Sequence, residues 1–597
     1  MLNCALIQDG DGIGWWQFEN ASEIVVIDRI DAVLPALRRI EERVNSEGWW
    51  AAGFISYEAG SAFDPSIQVR APGIWPLLWM GLYPHPQHVA YPMQSAAEST
   101  QAYQWQASVS RQQHKQAIDT IRALISTGDT YQVNYTLRLH AAALEEPEAL
   151  FLRMIRANKP KHGAYLDCDD FAVCSASPEL FFRLDGERIT SRPMKGTAGR
   201  GLTHSHDIEM AQGLSNSKKD RAENVMIVDM MRNDLSRVSR VGSVQVPRLF
   251  ELERYPTLWQ MTSTVTADTN ASVCDILKAL FPPASITGAP KVRTAEILAE
   301  LESSPRGIYT GCIGYIAPGR RAQFSVAIRT AVVSRSGGTV EYGVGSGIVW
   351  DSRSHTEYDE CLLKARIVAE SPPAFALLET LLWEPAEGFF LVNEHLRRLA
   401  DSAAYFGIRA DDSLARRHLK EFADGLPQQP HRVRLVVDRN GCTHCEATRL
   451  NPSTSPVRLA LAADPVDPSD PFLYNKTTHR ATYDRAKASR PDCDDVVLWN
   501  ARGEITETTI ANIVVEIDGE KVTPPLACGL LPGVFRAWLL GRGEIKERLI
   551  DSGDLRRASR IWVVNSVRKW RDAMFVEQED QAKMVGPEGL EPSTKGL

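Results

Sequence analysis

The apolar positions of this chain change period along its length, and each change marks an element. "SRQQHKQAIDTIRALISTGDTYQVNYTLRLH" (110–140) runs at helical spacing, turns at Gly128-Asp129 and continues as a strand. Residues 163–196 alternate as β-structure, with Asp185-Gly186 as a two-residue hairpin turn. "KKDRAENVMIVDMMRNDLSRV" (218–238), "PKVRTAEILAELE" (290–302) and "SHTEYDECLLKARIVAE" (354–370) predict helices, with Pro290 at the first helical position of the second. "RAQFSVAIRTAVVS" and "GTVEYGVGSGIVW" predict strands. Residues 1–100 mix short apolar runs with Gly, Pro and Trp, which predicts irregular β-rich structure.

"AESPPAF" (369–375) interrupts this pattern. Two prolines follow a helix and a fresh apolar run begins, so a domain boundary is expected near 372. Beyond it, "NEHLRRLADSAAYFGI" (393–408) predicts a helix, followed by strands and, after 530, more helix. The last stretch, "EQEDQAKMVGPEGLEPSTKGL", is polar and aperiodic and is expected to be disordered.

A length of 597 residues suggests roughly three to four domain-sized units. A net charge of −8 argues against an extended nucleic-acid surface. No apolar stretch would span a bilayer, and the N-terminus has no signal-peptide pattern, so a cytoplasmic protein that binds neither membrane nor nucleic acid is expected. The ten cysteines form no framework, as in a reducing compartment. "NGCTHC" (440–445) contains a C-x-x-C, but Asn440-Gly441 marks a hairpin turn and no second ligand pair is in place for zinc.

Candidate chemistry is concentrated at a few charged positions. Lys195 sits in "SRPMKGTAGRG" (191–201), between two arginines and among glycines. Crowding by cations would release its proton and make it a nucleophile. Glu357, Glu360 and Lys364 share one helical face, and Asp220 and Glu223 share another. Two such acidic pairs suit Mg²⁺, which takes hard oxygen ligands and leaves positions open to water and substrate. Glu179 and Lys195 flank the hairpin turn and could face one cavity. "GVGSG" (343–347) is neither a dinucleotide fingerprint nor a P-loop.

In this order, "SPELFF", "PMKGTAGRG", "KKDRAENVMIVDMMRNDLSRVSRVGSV", "FPPASITGAPKVRTAEILAELE", "RGIYTGCIGYI", "AIRT" and "GVGSGIVWDSRSHTEYDECLLKA" resemble the chorismate-utilising enzymes over roughly 110–370. The resemblance implies an α/β sandwich of antiparallel sheets flanked by helices. It implies that Glu223 and Glu360 hold Mg²⁺, with Asp220 and Glu357 beside them, and that Glu179 assists loss of the C4 hydroxyl. Arg329, Tyr309 and Lys364 would hold substrate carboxylates, with Thr197 and Gly345 on the same substrate side. Gln132 stands where water-using members carry a lysine, which favours ammonia. Lys195 stands where anthranilate synthases carry alanine and aminodeoxychorismate synthases carry lysine. There the lysine attacks C2 of chorismate, expels the C4 hydroxyl and is displaced by ammonia. No glutaminase pattern is visible, so a separate glutamine amidotransferase subunit is expected to supply the ammonia.

The second half resembles class IV pyridoxal-phosphate enzymes through "NEHLRRLADSAAYFGI", Lys476, "ETTIANI", "TPPLACGLLPGVFR" and "NSVRKW". The resemblance implies a two-subdomain α+β fold and Lys476 as the lysine that carries pyridoxal 5'-phosphate. Glu507 would pair with its pyridine nitrogen, and Arg397 and the helix opening at Val534 would take its phosphate. Class IV aminotransferases often have a tyrosine five residues after the lysine; here Ala481 occupies that place and Tyr483 follows. Class IV enzymes usually pair, which implies a homodimer through this domain. The expected organisation is therefore an N-terminal region (1–105), a chorismate-binding domain (106–371), a class IV domain (372–578) and a tail (579–597). A fusion of the two families implies a two-step route from chorismate to 4-aminobenzoate, a folate precursor. The competing readings are an anthranilate-type synthase joined to an aminotransferase, and a silent scaffold.

Overall fold

The computed structural model describes residues 3–10, 14–90, 103–369, 373–452 and 455–576. The boundary expected at 372 and the tail expected to be disordered lie outside them. The described residues gather into two compact units, one within 1–200 and 210–372, the other within 201–209 and 373–597. Length suggested three or four. The difference lies in the size of the sheets: among the described residues the first unit is built on two ten-stranded antiparallel sheets.

Consecutive positions are buried along strands such as Trp50–Ile55, Phe171–Ser177 and Cys312–Ala317, and successive side chains point to opposite faces, so each sheet is covered on both faces. Ala5, Ile7, Phe18 and Val173 of one sheet meet Trp50, Phe54, Ile313 and Tyr315 of the other in a shared core. On the outer face of the second sheet pack the helices Ile30–Glu47 and Val273–Leu280, and on that of the first pack Pro147–Asn158 and Ser354–Ala369. The result is the expected sandwich with flanking helices.

Residues 4–89 are woven into both sheets: Cys4–Gln8 pairs with His162–Asp167, and Trp50–Ile55 with Cys312–Ala317. They also contain an 18-residue helix, Ile30–Glu47, which the irregular β-rich reading missed. Its buried Val33, Leu37, Ile40 and Val44 follow helical spacing despite Pro35. Two smaller expectations shift by one residue. Asp185 pairs with Arg188, so the hairpin loop is Gly186-Glu187, with Gly186 at φ +58° in the position that favours glycine. Pro290 caps the helix Lys291–Leu301 instead of opening it.

Among the described residues the second unit holds a four-stranded antiparallel sheet and a mixed eight-stranded sheet, the two subdomains of the expected α+β fold. "NGCTHC" closes the hairpin between His431–Val437 and Thr443–Arg449, with Asp438 accepting from the Asn440 and Cys442 amides. All ten cysteines are free thiols. Among the described residues no helix is long and apolar enough to cross a membrane.

Candidate active sites

In the first unit the site is built on the strand Thr339–Ile348, where Gly343, Gly345 and Gly347 lie on one face. A β-carbon at Gly343 would fall 2.1 Å from the Tyr309 ring, and one at Gly345 would fall 2.7 Å from Thr136. One at Gly347 would fall 2.6 Å from Gln132 Nε2 and 2.9 Å from Lys195 Nζ. The missing side chains therefore make the room that Tyr309, Gln132 and Lys195 occupy. Lys364 donates from the helix Ser354–Ala369 to the Gly345 carbonyl (2.7 Å) and pairs with Glu360 (2.8 Å).

Lys195 reaches this place through a β-bulge. Met194 pairs with Thr262 and Thr197 with Gln260, so three steps on Met194–Gly199 match two on Leu258–Asp268. Gly196 takes φ +95° there. A bulge of this kind re-aims one side chain. Burial holds the Lys195 ammonium below its ordinary pKa, Glu223 and Glu179 oppose that, and Lys364 adds to it. The arginines expected to crowd Lys195 take no part. Arg192 pairs with Glu253 (2.7 Å) and Glu251, and Arg200 donates to the Tyr255 carbonyl. Sequence neighbours on an extended strand point to opposite sides, which is why proximity in sequence misled.

Glu179 is 4% exposed, and burial pushes its carboxyl up to about 7, against the pull of the Ser285 hydroxyl and of Lys195. Burial also raises Glu223, whose helix Lys218–Ser236 brings it to Lys195. Glu360 is lowered: burial opposes this, but Lys364 and then Lys195 outweigh it. Glu179, Glu223, Glu360 and Lys364 thus all act on the Lys195 amine. Among the described residues no three His, Cys, Asp or Glu side chains gather as a metal cage. Two half-buried carboxylates from two helices still fit Mg²⁺, which commonly takes one or two protein carboxylates and fills its octahedron with water and substrate oxygens. Each carboxylate has a lysine beside it, Lys364 at 2.8 Å from Glu360 and Lys219 at 3.9 Å from Glu223.

Gln132 is 1% exposed and both atoms of its amide lack a protein partner. Arg329, in the left-handed region at φ +50°, lies over the Tyr255 ring at 5.3 Å, and burial lowers its pKa. Tyr309 lies under Arg138 at 5.0 Å. Thr197 is exposed, and its hydroxyl donates to Gln260 (3.2 Å), so the structure gives it a partner other than a substrate.

In the second unit a cavity of about 650 Å³ is lined by Lys476, Glu507, Tyr483, Arg398, His395 and Val534, among others. Burial, then Arg398, brings Lys476 down to about 8. Burial pushes Glu507 up to about 7, although the Leu531 amide (3.0 Å), Tyr483 hydroxyl (2.9 Å) and Asn512 amide (3.1 Å) all donate to it. Gly533 caps the helix Val534–Gly541, and a β-carbon there would collide with Asn512 at 1.9 Å. An amine, a protonatable acid and a helix N-terminus around one cavity fit pyridoxal phosphate.

Arg397 does not line this cavity. It is exposed, and Arg398 faces inward, donating to Glu379 (2.9 and 2.7 Å) and to the Pro532 carbonyl (3.1 Å). The reason is helical register: on Val392–Phe406 the buried positions include His395, Leu396, Leu399 and Ala403, and Arg398 stands one turn after His395. That register could have been read from the sequence. Tyr483, two places beyond the expected tyrosine, reaches the cavity through its bond to Glu507.

Comparison with known proteins agrees with this division. Residues 376–573 match the family model described as amino-transferase class IV. Aminodeoxychorismate synthase component 1 of Salmonella typhimurium is 42% identical over 258 residues, 43% of this chain and 56% of that protein. Anthranilate synthase component 1 of Haloarcula marismortui is 37% identical over 269 residues, 45% of this chain and 55% of that one. The chain thus spans a little over half the length of these relatives. The crystal structure of anthranilate synthase component I from Streptococcus pneumoniae, 22% identical, superposes with a TM-score of 0.53 over 62% of this chain and 93% of its own, which establishes a shared fold. The family model described as chorismate binding enzyme matches residues 17–370, more than half of the sequence, and the chain belongs to that family.

Proposed function

We propose that this chain converts chorismate to 4-aminobenzoate in two steps, one in each unit. The observation that carries the first step is the meeting of Lys195, lowered by burial, with Glu179, raised to about 7. A neutral amine can attack and a protonated carboxyl can deliver a proton, and burial moves each group toward the state its task needs. Lys195 Nζ attacks C2 of the ring. The two ring double bonds shift, and the C4 oxygen leaves as water with the Glu179 proton. Ammonia then adds at C4, the double bonds return and Lys195 departs. Sum: chorismate plus ammonia gives 4-amino-4-deoxychorismate plus water.

Mg²⁺ held by Glu223 and Glu360 would offset substrate carboxylate charge. Arg329, Lys364 and Tyr309 orient the same dianion. Gln132 cannot deprotonate water, which favours ammonia as the incoming group, and a glutaminase partner would supply it.

In the second unit pyridoxal phosphate would supply the electron sink. Lys476, brought down to about 8, takes the C4 proton of the aminated intermediate, and the enolpyruvyl group leaves as pyruvate. Glu507 holds a proton at the pyridine nitrogen.

The test is to incubate the full chain with chorismate, ammonium, Mg²⁺ and pyridoxal phosphate and to separate the aromatic products. The expected product is 4-aminobenzoate, lost in Lys195→Ala and in Lys476→Ala. Aminodeoxychorismate that accumulates would remove the second step, and anthranilate would overturn the reading of Lys195.

A further inference from the structure

A β-bulge leaves backbone groups outside the ladder, and a buried unpaired carbonyl is costly. The bulge at Lys195-Gly196 leaves two, and each finds a side-chain amide. Asn224 Nδ2 donates to the Lys195 carbonyl (3.1 Å), and Gln260 Nε2 donates to the Gly196 carbonyl (2.8 Å). Asn224 is 1% exposed. Its amide oxygen accepts from the Ser263 hydroxyl (2.6 Å), which fixes which end of the amide faces Lys195. Ser263 in turn accepts from the Phe250 amide (3.1 Å), and its own amide donates to the Pro193 carbonyl (3.2 Å).

Asn224 also directly follows Glu223 on the helix Lys218–Ser236. Contact between helix and bulge is close on the other side as well: a β-carbon at Gly196 would stand 3.0 Å from that of Asp220. One rigid turn of helix therefore carries both a carboxylate that acts on the Lys195 amine and the amide that holds the Lys195 backbone. A hydrogen bond of this kind fixes position without touching substrate.

We propose that Asn224 is a positioning residue that locks the bulge and so sets where the Lys195 amine stands relative to Glu223 and the glycine strand, with Ser263 orienting the Asn224 amide. The proposal rests on the reading of Lys195 as a nucleophile. A misplacement of about 1 Å can cost on the order of 100-fold in rate, so the lock would be felt in turnover before it is felt in binding.

The experiment uses the full chain and two variants, Asn224→Ala and Ser263→Ala. The first removes the donor to Lys195. The second leaves that donor in place but frees the amide to turn. Expected for Asn224→Ala is a fall in kcat of about 100-fold, with KM for chorismate within about threefold. Ser263→Ala should fall in the same direction by less, and the double variant should be no worse than Asn224→Ala. Labelling with trinitrobenzenesulfonate, read peptide by peptide, gives a readout that turnover does not enter. In Asn224→Ala the labelling rate of Lys195 should change at least fivefold while that of Lys364 stays as in the unmodified chain. A rise in KM that matches the fall in kcat, additive effects of the two substitutions, or equal change at both lysines would each overturn the proposal. If the unmodified chain makes no aminated product, the reading of Lys195 fails, yet the labelling contrast still decides whether Asn224 places it.

Discussion

Lys195 Nζ stands 2.9 Å from where a β-carbon on Gly347 would lie. The amine and the glycine come from different sheets, and each makes the other's place necessary. Gly347→Ala should therefore disable the first step while leaving the fold intact. The colliding atoms are the ends of two flexible side chains, Lys195 and Gln132, which can swing aside. Overpacking of this sort costs about 1–3 kcal/mol of stability. Displacing the amine should lower ammonia-dependent turnover by about 100-fold. Rates with chorismate and ammonium, set beside urea unfolding of the same variant, separate the two effects. A fully active Gly347→Ala would mean that Lys195 does not work from this position.

The proposed role of Glu179 as proton donor gives the first step a pH dependence. Burial favours the neutral carboxyl and moves its pKa up to about 7. A proton donor works only while protonated, so turnover should fall as pH rises through about 7. Glu179→Gln keeps the shape but cannot donate, so that limb should disappear together with about 10²–10⁴-fold of rate. The profile must be taken at constant free ammonia, since ammonia itself gains at high pH. A limb that persists unchanged in Glu179→Gln would assign it to another group.

Much of this was legible in the sequence, and the failures share a cause. The strand "GTVEYGVGSGIVW" was legible, but the side chains for which its glycines make room, Tyr309, Thr136, Gln132 and Lys195, come from distant parts of the chain and were not. The acidic pairs on two helices were legible because helical spacing is local. The source of the Lys195 shift was not. Arg192 and Arg200 are close in sequence, but their partners Glu253, Glu251 and Tyr255 come from a stretch more than fifty residues later, and the burial that lowers the amine arises only on folding. Asn224 and Gln260 were missed for the same reason: a bulge is defined by its partner strand, so the carbonyls they hold have no signature in "PMKGTAG" alone.

Glu507 should matter to the second step through its proton. Three donors already serve its carboxylate, yet burial keeps its pKa near 7, so it can share a proton with a ring nitrogen placed against it. Glu507→Gln keeps the size but removes the acid. Conversion of added 4-amino-4-deoxychorismate to 4-aminobenzoate should fall by about 100-fold or more, while chorismate consumption with ammonium should not change. Loss of both activities would point to a folding defect.

The last prediction sets two adjacent arginines against each other. Arg398 lines the cavity beside Val534 and is held in place by Glu379, which is 1% exposed. Burial would raise the Glu379 carboxyl, but Arg398 and His395 outweigh it and bring it down to about 2, so it stays charged across the neutral range. Charged and fixed, it orients the Arg398 guanidinium, which still has hydrogen-bond capacity toward an anion. Arg397, one residue earlier, faces solvent. A hydrogen bond to a charged group contributes about 1.5–3 kcal/mol, which corresponds to roughly 10- to 100-fold in affinity. Arg398→Ala should weaken pyridoxal phosphate binding by that factor, and Arg397→Ala should leave it within about twofold. Titration of each apo variant with the cofactor, followed by visible absorbance, makes the comparison. Because removing Arg398 also leaves Glu379 with His395 as its side-chain partner among the described residues (2.6 Å), Glu379→Gln serves as the control. It should weaken cofactor binding less than Arg398→Ala, since it loosens the guanidinium without removing it. Equal losses for Arg397→Ala and Arg398→Ala would mean that neither contacts the phosphate.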